Sequence, residues 1–262
     1  MLKCAMAAAL GFLALTGMQA APAPRPAMSL WRLDCGDFQI NDINAFMSDT
    51  SEYPARPKHL VGSCYLIRHG ETYLLWDTGM PAALVAQPEV NPVMTVTLHA
   101  RIVDQLARIG VRPEQVTMVG ISHYHGDHTG QARDFPHARL LMGAADLAPW
   151  LSGGGQVTEV EGDLDVFGDG SVVMLNLPGH TPGHHALLLR LASGPVMLSG
   201  DTYHFAEQVA HRGVPPFNTN RAESLASMDR FDRLARNLHA RVIIQHEPAD
   251  VGKLPAFPEA AH

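Results

Sequence analysis

Lysine and arginine never gather into a run anywhere in this chain of 262 residues. There are 19 of them against 26 aspartates and glutamates, a formal charge of −7. Nucleic acid and anionic membrane surfaces need a basic patch, so both are disfavoured as partners. Internal repeats are missing too, and low complexity is confined to the first 29 residues. Charged residues make up only 17% and hydrophobic ones 46%, which excludes a disordered chain and allows a sizeable core. No apolar stretch is long enough to cross a bilayer comfortably; the one candidate, residues 5–18, is too short.

That stretch reads instead as an export signal. Lys3 precedes it, Ala20 and Ala21 follow, and a Pro-rich run, APAPRP, occupies residues 21–26. The expected organisation is a signal peptide over residues 1–20, a Pro-rich linker over 21–29 and a single domain over 30–262. Cleavage would remove Lys3 and leave a mature charge of 18 − 26 = −8. The mature protein is then periplasmic or secreted, with no membrane association. Cysteine is scarce, three in all, and Cys4 lies inside the signal. Cys35 and Cys64 can pair in an oxidising compartment. Each also suits a small buried hydrophobe at a strand end, and unpaired thiols are the expectation taken here.

Punctuation divides the rest into short elements. Residues 30–35 (LWRLDC) alternate like a strand, and the polar residues 37–57 read as a long loop. Residues 61–67 and 72–76 flank the turn His69-Gly70-Glu71, a hairpin signal. Leu98, Ile102, Leu106 and Ile109 fall at helical spacing before Gly110, predicting a helix over 97–109. Residues 116–121 (VTMVGI) form a buried strand, and 144–151 a short helix before the flexible SGGG at 152–155. Further strands are expected over 171–177, 185–190, 195–199 and 241–245. NRAE at 220–223 has the form of a capping box opening a helix to about residue 238. Strands in runs and pairs, with helices interspersed, predict two packed sheets covered by helices.

The buried strand 116–121 runs straight into HYHGDH, residues 123–128. Four metal-binding side chains in six residues make a plain solvated loop an unattractive reading. Residues two apart on an extended segment point the same way, so His123 and His125 can grip one ion. After a turn made tight by Gly126 and Gly130, Asp127 and His128 can face a second. Imidazole suits zinc, iron or cobalt, and a carboxylate adds a harder oxygen that also suits manganese. One loop cannot close two sites. His180, Asp201 and His246 each follow an apolar β-like run, as donors at one rim of a sheet sandwich would.

HYHGDH followed in order by His180, Asp201 and His246 resembles the metallo-β-lactamase superfamily over nearly the whole mature chain. The resemblance implies an α/β (α+β) fold, an αβ/βα sandwich of two mixed sheets flanked by helices. It implies two divalent metal ions, zinc first, with iron, cobalt or manganese as alternatives. His123, His125 and His180 would hold one and Asp127, His128 and His246 the other, with Asp201 between them. The implied chemistry is hydrolysis by a hydroxide shared by the two ions, with Asp127 shuttling the proton. His184 and His185 are expected to orient the surroundings of His180, and the remaining histidines to be exposed.

Within the superfamily the chain is most similar to N-acyl homoserine lactonases. Asp201 differs from typical metallo-β-lactamases and His125 from flavodiiron proteins. Only a short tail follows His246, where glyoxalase II-like enzymes carry a helical domain. LDCG (33–36), the loop 37–57 and SGDTYHF (199–205) resemble the lactonase group. The expected partner is a small-molecule lactone, and a homodimer is allowed. Its acyl chain would lie against Ile40, Ile43, Phe46 and Met47, with residues 208–218 as a second lip and Phe205 and Phe217 as apolar wall. Tyr203 is the candidate to hydrogen-bond the lactone, although lactonases place that tyrosine three residues after the bridging aspartate. Here Tyr203 stands two after Asp201 and His204 three after. Other expectations from the same donors are a β-lactam, phosphotriester or aryl-ester hydrolase, and a non-catalytic metal-binding module. A substrate panel separates the first from lactone opening, and metal uptake without turnover marks the second.

Overall fold

The computed structural model describes residues 26–147 and 156–262. The expected signal, most of the linker and residues 148–155 lie outside them. Among the described residues, eight strands form one sheet: Met28–Ile40 (β1), Lys58–His69 (β2), Thr72–Trp76 (β3), Glu89–Val90 (β4), Met94–Thr97 (β5), Val116–Ile121 (β6), Arg139–Gly143 (β7) and Val157–Val160 (β8). Their order is β4-β5-β1-β2-β3-β6-β7-β8. Five strands form the other: Leu164–Asp165 (β9), Val172–Asn176 (β10), His185–Leu191 (β11), Gly194–Leu198 (β12) and Arg241–Ile243 (β13), ordered β13-β12-β11-β10-β9. Both sheets are mixed. β3, β6, β7 and β8 pair in parallel, as do β12 and β13, and the other pairs are antiparallel.

The near-continuous apolar strands follow from burial on both faces. Tyr65 and Ile67 of β2, Leu74 and Trp76 of β3, and Leu187 and Leu189 of β11 meet in the core between the sheets. Their neighbours Leu66, Leu75 and Leu188 point outward. Leu66 and Leu75 pack with Ile102 and Leu106 of the helix Ile102–Arg108, and Leu188 with Met228 and Phe231 of the helix Arg221–Leu238. Helix, sheet, sheet, helix is the layering expected, with alternate side chains of each strand filling one of two cores.

Several boundaries differ from expectation. β1 continues to Ile40 and a short helix, Ile43–Met47 (α1), follows, so only part of 37–57 is loop. Asp42 caps α1 by accepting from the Asn44 and Ala45 amides. The helix Ile102–Arg108 (α2) starts late because β5 occupies residues through Thr97; the Gln131 side chain accepts from the Ile102 amide at its start. Next come two shorter helices, Gly126–Thr129 (α3) and Ala206–His211 (α4), then the long helix Arg221–Leu238 (α5), capped by Asn220 as predicted. The expected helix at 144–151 is a single turn over Ala144–Asp146 in its described part.

Cys35 and Cys64 are disulfide-bonded, against the expectation of free thiols. The pairing of β1 with β2 shifts between Asp34 and Gly36, so Cys35 is the extra residue of a β-bulge. The bulge brings its side chain to Cys64, with the Cα atoms 5.8 Å apart, inside the range a disulfide needs.

Candidate metal centre

The predicted donors converge at one rim, where β6, β10, β12 and β13 end. His123 Nε2 lies 2.9 Å from His125 Nδ1, and His180 Nε2 lies 3.1 and 3.0 Å from those two atoms. The extended backbone of His125 turns both loop histidines to one side, as their spacing predicted. Around the other point, His128 Nε2 is 3.3 Å from Asp127 Oδ2, and His246 Nε2 is 3.8 Å from the same oxygen. Asp201 divides its carboxylate between the groups. Oδ2 stands 3.2 Å from His180 and 3.7 Å from His123, whereas Oδ1 stands 3.0 Å from His246 and 3.3 Å from His128.

Buried supports outside the donor set aim the rings. His128 Nδ1 is 2.9 Å from Asp77 Oδ2, His246 Nδ1 is 2.9 Å from the Val61 carbonyl, and His180 Nδ1 is 2.9 Å from Asn218 Oδ1. Each partner accepts, since Asn218 spends its amide N–H on Ser224 Oγ. Each ring therefore keeps a proton on Nδ1 and turns Nε2, the nitrogen that can offer a lone pair to a cation, toward the centre. For His128 that Nε2 is fully buried with no hydrogen-bond partner among the described residues. A buried Nε2 left unpartnered beside two carboxylates, and three imidazole nitrogens crowded at about 3 Å, fit divalent cations.

Electrostatics divides the two groups. Burial, reinforced by His128, holds His123 well below the ordinary histidine range. Burial also lowers His125 and carries His180 well down. These rings are neutral at pH 7, as ligands must be. Burial opposes the charged form of His128 too, but Asp201, Asp127 and Asp77 outweigh it and raise its pKa well above the usual value. His246 is raised in the same way by Asp201 and Asp127. Burial works against the ionised carboxylates, yet the surrounding histidines hold Asp201 and Asp127 far below the carboxylate range.

Asp77 was not singled out from the sequence. It directly follows the hairpin strand β3 in TYLLWDTG, and its Oδ1 accepts from the Ser122 amide at the start of the donor loop. The two loops are zipped together. The Thr78 amide donates to the His128 carbonyl and the Gly130 amide to the Gly79 carbonyl, both at 2.7 Å. This approach is what requires Gly130: a Cβ there would lie 2.2 Å from Pro81 N. Gly126, expected to matter equally, has open space around it. Asp146, also not anticipated, steadies the His180 loop by accepting from Thr181 Oγ1 and the Gly183 amide, each at 2.6 Å.

His184 does orient the centre. Its Nδ1 faces the Leu177 carbonyl and its Nε2 accepts from the Asp201 amide at 2.8 Å. His185 faces two backbone carbonyls, of Gly183 and Gly162, away from the donors. Tyr203 does not reach the centre. It is buried, and its hydroxyl donates to Asp232 of α5 at 3.0 Å. The cause is local: Tyr203 is extended, so it and His204 point to opposite sides. His204, expected to be exposed, is buried and faces the donors.

A cavity of about 340 Å³ opens over the donors and is walled mainly by apolar side chains, including Ile40, Phe46, Met47, Leu60 and Phe217. Ile43 and Phe205 are buried behind that wall with Tyr53 instead of lining it.

This two-sheet scaffold with its rim of donors has counterparts. The model of the Metallo-beta-lactamase superfamily matches residues 58–246, from β2 through the last donor. The chain belongs to this superfamily. Several relatives share one activity in their names. N-acyl homoserine lactonase AttM of Azorhizobium caulinodans is 27% identical over 214 residues, 70% of this chain and 81% of the relative. An N-acyl homoserine lactonase of a Bacillus species is 30% identical over 217 residues, 75% of this chain and 85% of the relative. A crystal structure of a B. thuringiensis AiiA mutant, with N-decanoyl-L-homoserine at its active site, matches the fold at a TM-score of 0.78 and 23% identity. It covers 90% of this chain and 100% of the other. The superfamily's sandwich is thus the architecture of this chain, which is a metal-dependent hydrolase.

Proposed function

We propose that this hydrolase opens the lactone ring of N-acyl homoserine lactones. The observation that carries the proposal is the cavity, a pocket with a mostly apolar wall that ends on two adjoining groups of metal donors. The names of the relatives, and the N-decanoyl-L-homoserine held by the AiiA mutant, support the same substrate class.

His123, His125, His180 and Asp201 would hold one divalent ion, and Asp127, His128, His246 and Asp201 a second, zinc being the first candidate for a donor set rich in imidazole. Two such ions, when bound, polarise a carbonyl and make water nucleophilic near neutral pH. The chain's residues supply the rest. The apolar wall receives the acyl chain and presents the ring to the donors. Asp127, 23% exposed against 5% for Asp201, is the carboxylate that faces the incoming water. It takes the water's proton and returns it to the ring oxygen as the C–O bond breaks. Its depressed proton affinity makes it a transient carrier and not a resting acid. A lactone suits this arrangement because its leaving group is an oxygen, which needs less acid assistance than an amide nitrogen.

The disulfide supports an exported location, since such bonds persist in oxidising compartments. The test is a panel of short- and long-chain acyl homoserine lactones, β-lactams and phosphotriesters, offered to protein of measured metal content. Acid release is followed with a pH indicator. Efficient β-lactam or phosphotriester cleavage, with every lactone left intact, would sink the proposal.

A further inference from the structure

The donor group of Asp127, His128 and His246, with Asp201 beside it, is drawn from both sheets. Asp127 and His128 follow β6 of the eight-stranded sheet, whereas His246 and Asp201 follow β13 and β12 of the five-stranded one. An ion held there depends on how the two sheet ends sit against each other. Gln245 lies at that junction and is 1% exposed. Its side chain crosses from the five-stranded sheet to the other. The amide nitrogen donates to the Ser63 carbonyl of β2 and, at 3.2 Å, to Asp77 Oδ2 just past β3. A carbonyl and a carboxylate only accept, so the nitrogen end of the amide must face them, and both of its N–H groups are used. The Gln245 backbone amide donates to Ser199 Oγ at 3.0 Å, two residues before Asp201. The next residue in the chain is His246.

Asp77 links this tie to the donors. Its wholly buried carboxylate meets three groups: the Ser122 amide at Oδ1, and His128 Nδ1 and the Gln245 amide at Oδ2. Ser122 and His128 belong to the donor loop of the same sheet, and Gln245 brings in the other sheet. Members of a buried hydrogen-bond network support one another, so a loss at one is felt at the next. Without the Gln245 N–H, the carboxylate is less firmly held, and the His128 ring loses the fixed acceptor that aims it.

We infer that Gln245 is a positioning residue for the ion on Asp127, His128 and His246. It acts through Asp77, whose carboxylate aims His128, and it ties that aim to the sheet that carries His246 and Asp201. It is not itself a ligand, because its amide nitrogen is committed to Ser63 and Asp77. The inference rests on the two-ion reading above.

The test measures metal binding, not turnover. Metal-free full-length protein is titrated with zinc in competition with a chromophoric chelator, and the stoichiometry and both dissociation constants are read. Wild-type protein is compared with Gln245→Met, Asp77→Asn and the double variant. Methionine fills a similar volume and has no side-chain N–H. Wild-type protein should take up two ions. Gln245→Met should weaken one of them by about tenfold and leave the other within about twofold. On top of Asp77→Asn the same substitution should add less than about twofold, because the carboxylate through which it acts is gone. A residue that only braces the fold would weaken both ions together, and its loss would multiply with that of Asp77→Asn. Either result overturns the inference while leaving two ions in place, and so does full affinity for both ions in Gln245→Met. Should the methionine variant lose its fold by circular dichroism, Gln245→Glu decides by the same comparison, since it keeps the shape and sets an oxygen in place of the amide nitrogen. Uptake of fewer than two ions by wild-type protein overturns the two-ion reading and this inference with it.

Discussion

Asp77 Oδ2 and His128 Nδ1 lie 2.9 Å apart, and neither side chain has any exposure to solvent. The carboxylate sets the tautomer of the ring and strengthens its outward nitrogen as a donor. Asp77→Asn leaves the shape but replaces one accepting oxygen by an NH2 group, set against either His128 Nδ1 or the Ser122 amide. It should lower affinity for one of the two ions by about tenfold to a hundredfold, measured by chelator competition, with the other ion unaffected. Equal weakening of both ions would show that Asp77 acts on the fold and not on His128.

Metal uptake should depend on pH in a fixed direction. Without metal, neighbouring carboxylates raise His128 well above its ordinary value and also raise His246, so both rings hold protons above pH 6.5. A metal must displace those protons. Affinity should therefore fall as pH drops, starting above pH ~6.5, and binding should release protons. Calorimetry in buffers of different ionisation enthalpy counts them; no proton release at pH ~7 would contradict the arrangement.

Asp201→Asn should damage turnover more than substrate binding. Each oxygen of Asp201 serves a different donor group, so the loss falls on the relation between the two sites while the apolar wall is untouched. We expect kcat to fall by at least roughly tenfold with KM changed less than about threefold, at verified metal occupancy. Unchanged kcat would remove Asp201 from its bridging position.

Acyl-chain length should be read by the wall. Phe46 packs on Phe217, ring centroids 5.0 Å apart, at the mouth of the cavity. Burying one methylene is worth about 0.8 kcal/mol, so kcat/KM should rise up to ~4-fold per carbon until the cavity is full. Phe46→Ala should flatten that series for long chains and spare short ones. A parallel loss at every length would place Phe46 elsewhere in the reaction.

The disulfide closes a loop of 29 residues, for which chain entropy gives ~3–4 kcal/mol. Replacing both cysteines by serine should lower the melting temperature by roughly 10 °C. Wild-type protein under strong reductant should shift by a similar amount.

The donor loop was legible because its information is local: four ligand types in six residues and a period-two backbone place His123 and His125 without the rest of the fold. The later donors were legible because each ends an apolar strand, and strand ends share a rim. Asp77 was not, since a single aspartate after a strand has no pattern; only the pairing of β3 with β6 sets it beside Ser122 and His128. Cys35 was missed because a bulge, invisible in composition, decides which way it points. Tyr203 was chosen on chemical type, whereas an extended backbone gave the inward side to its neighbour. In the two sheets, long apolar runs such as residues 116–121 were readable, but short or half-exposed strands such as β5, β7 and β8 depend on neighbours for their identity.

The floor and the wall of the cavity come from different stretches of chain. All seven predicted donors sit on the segments after strands at the rim of the sandwich, Asp127 and His128 within α3, while Ile40, Phe46, Met47, Leu60 and Phe217 belong to β1, α1, β2 and the segment before α5. A mutation in the wall therefore changes which molecules are admitted and leaves every donor in place. Selection can explore new apolar substrates one residue at a time, with the chemistry inherited intact at each step.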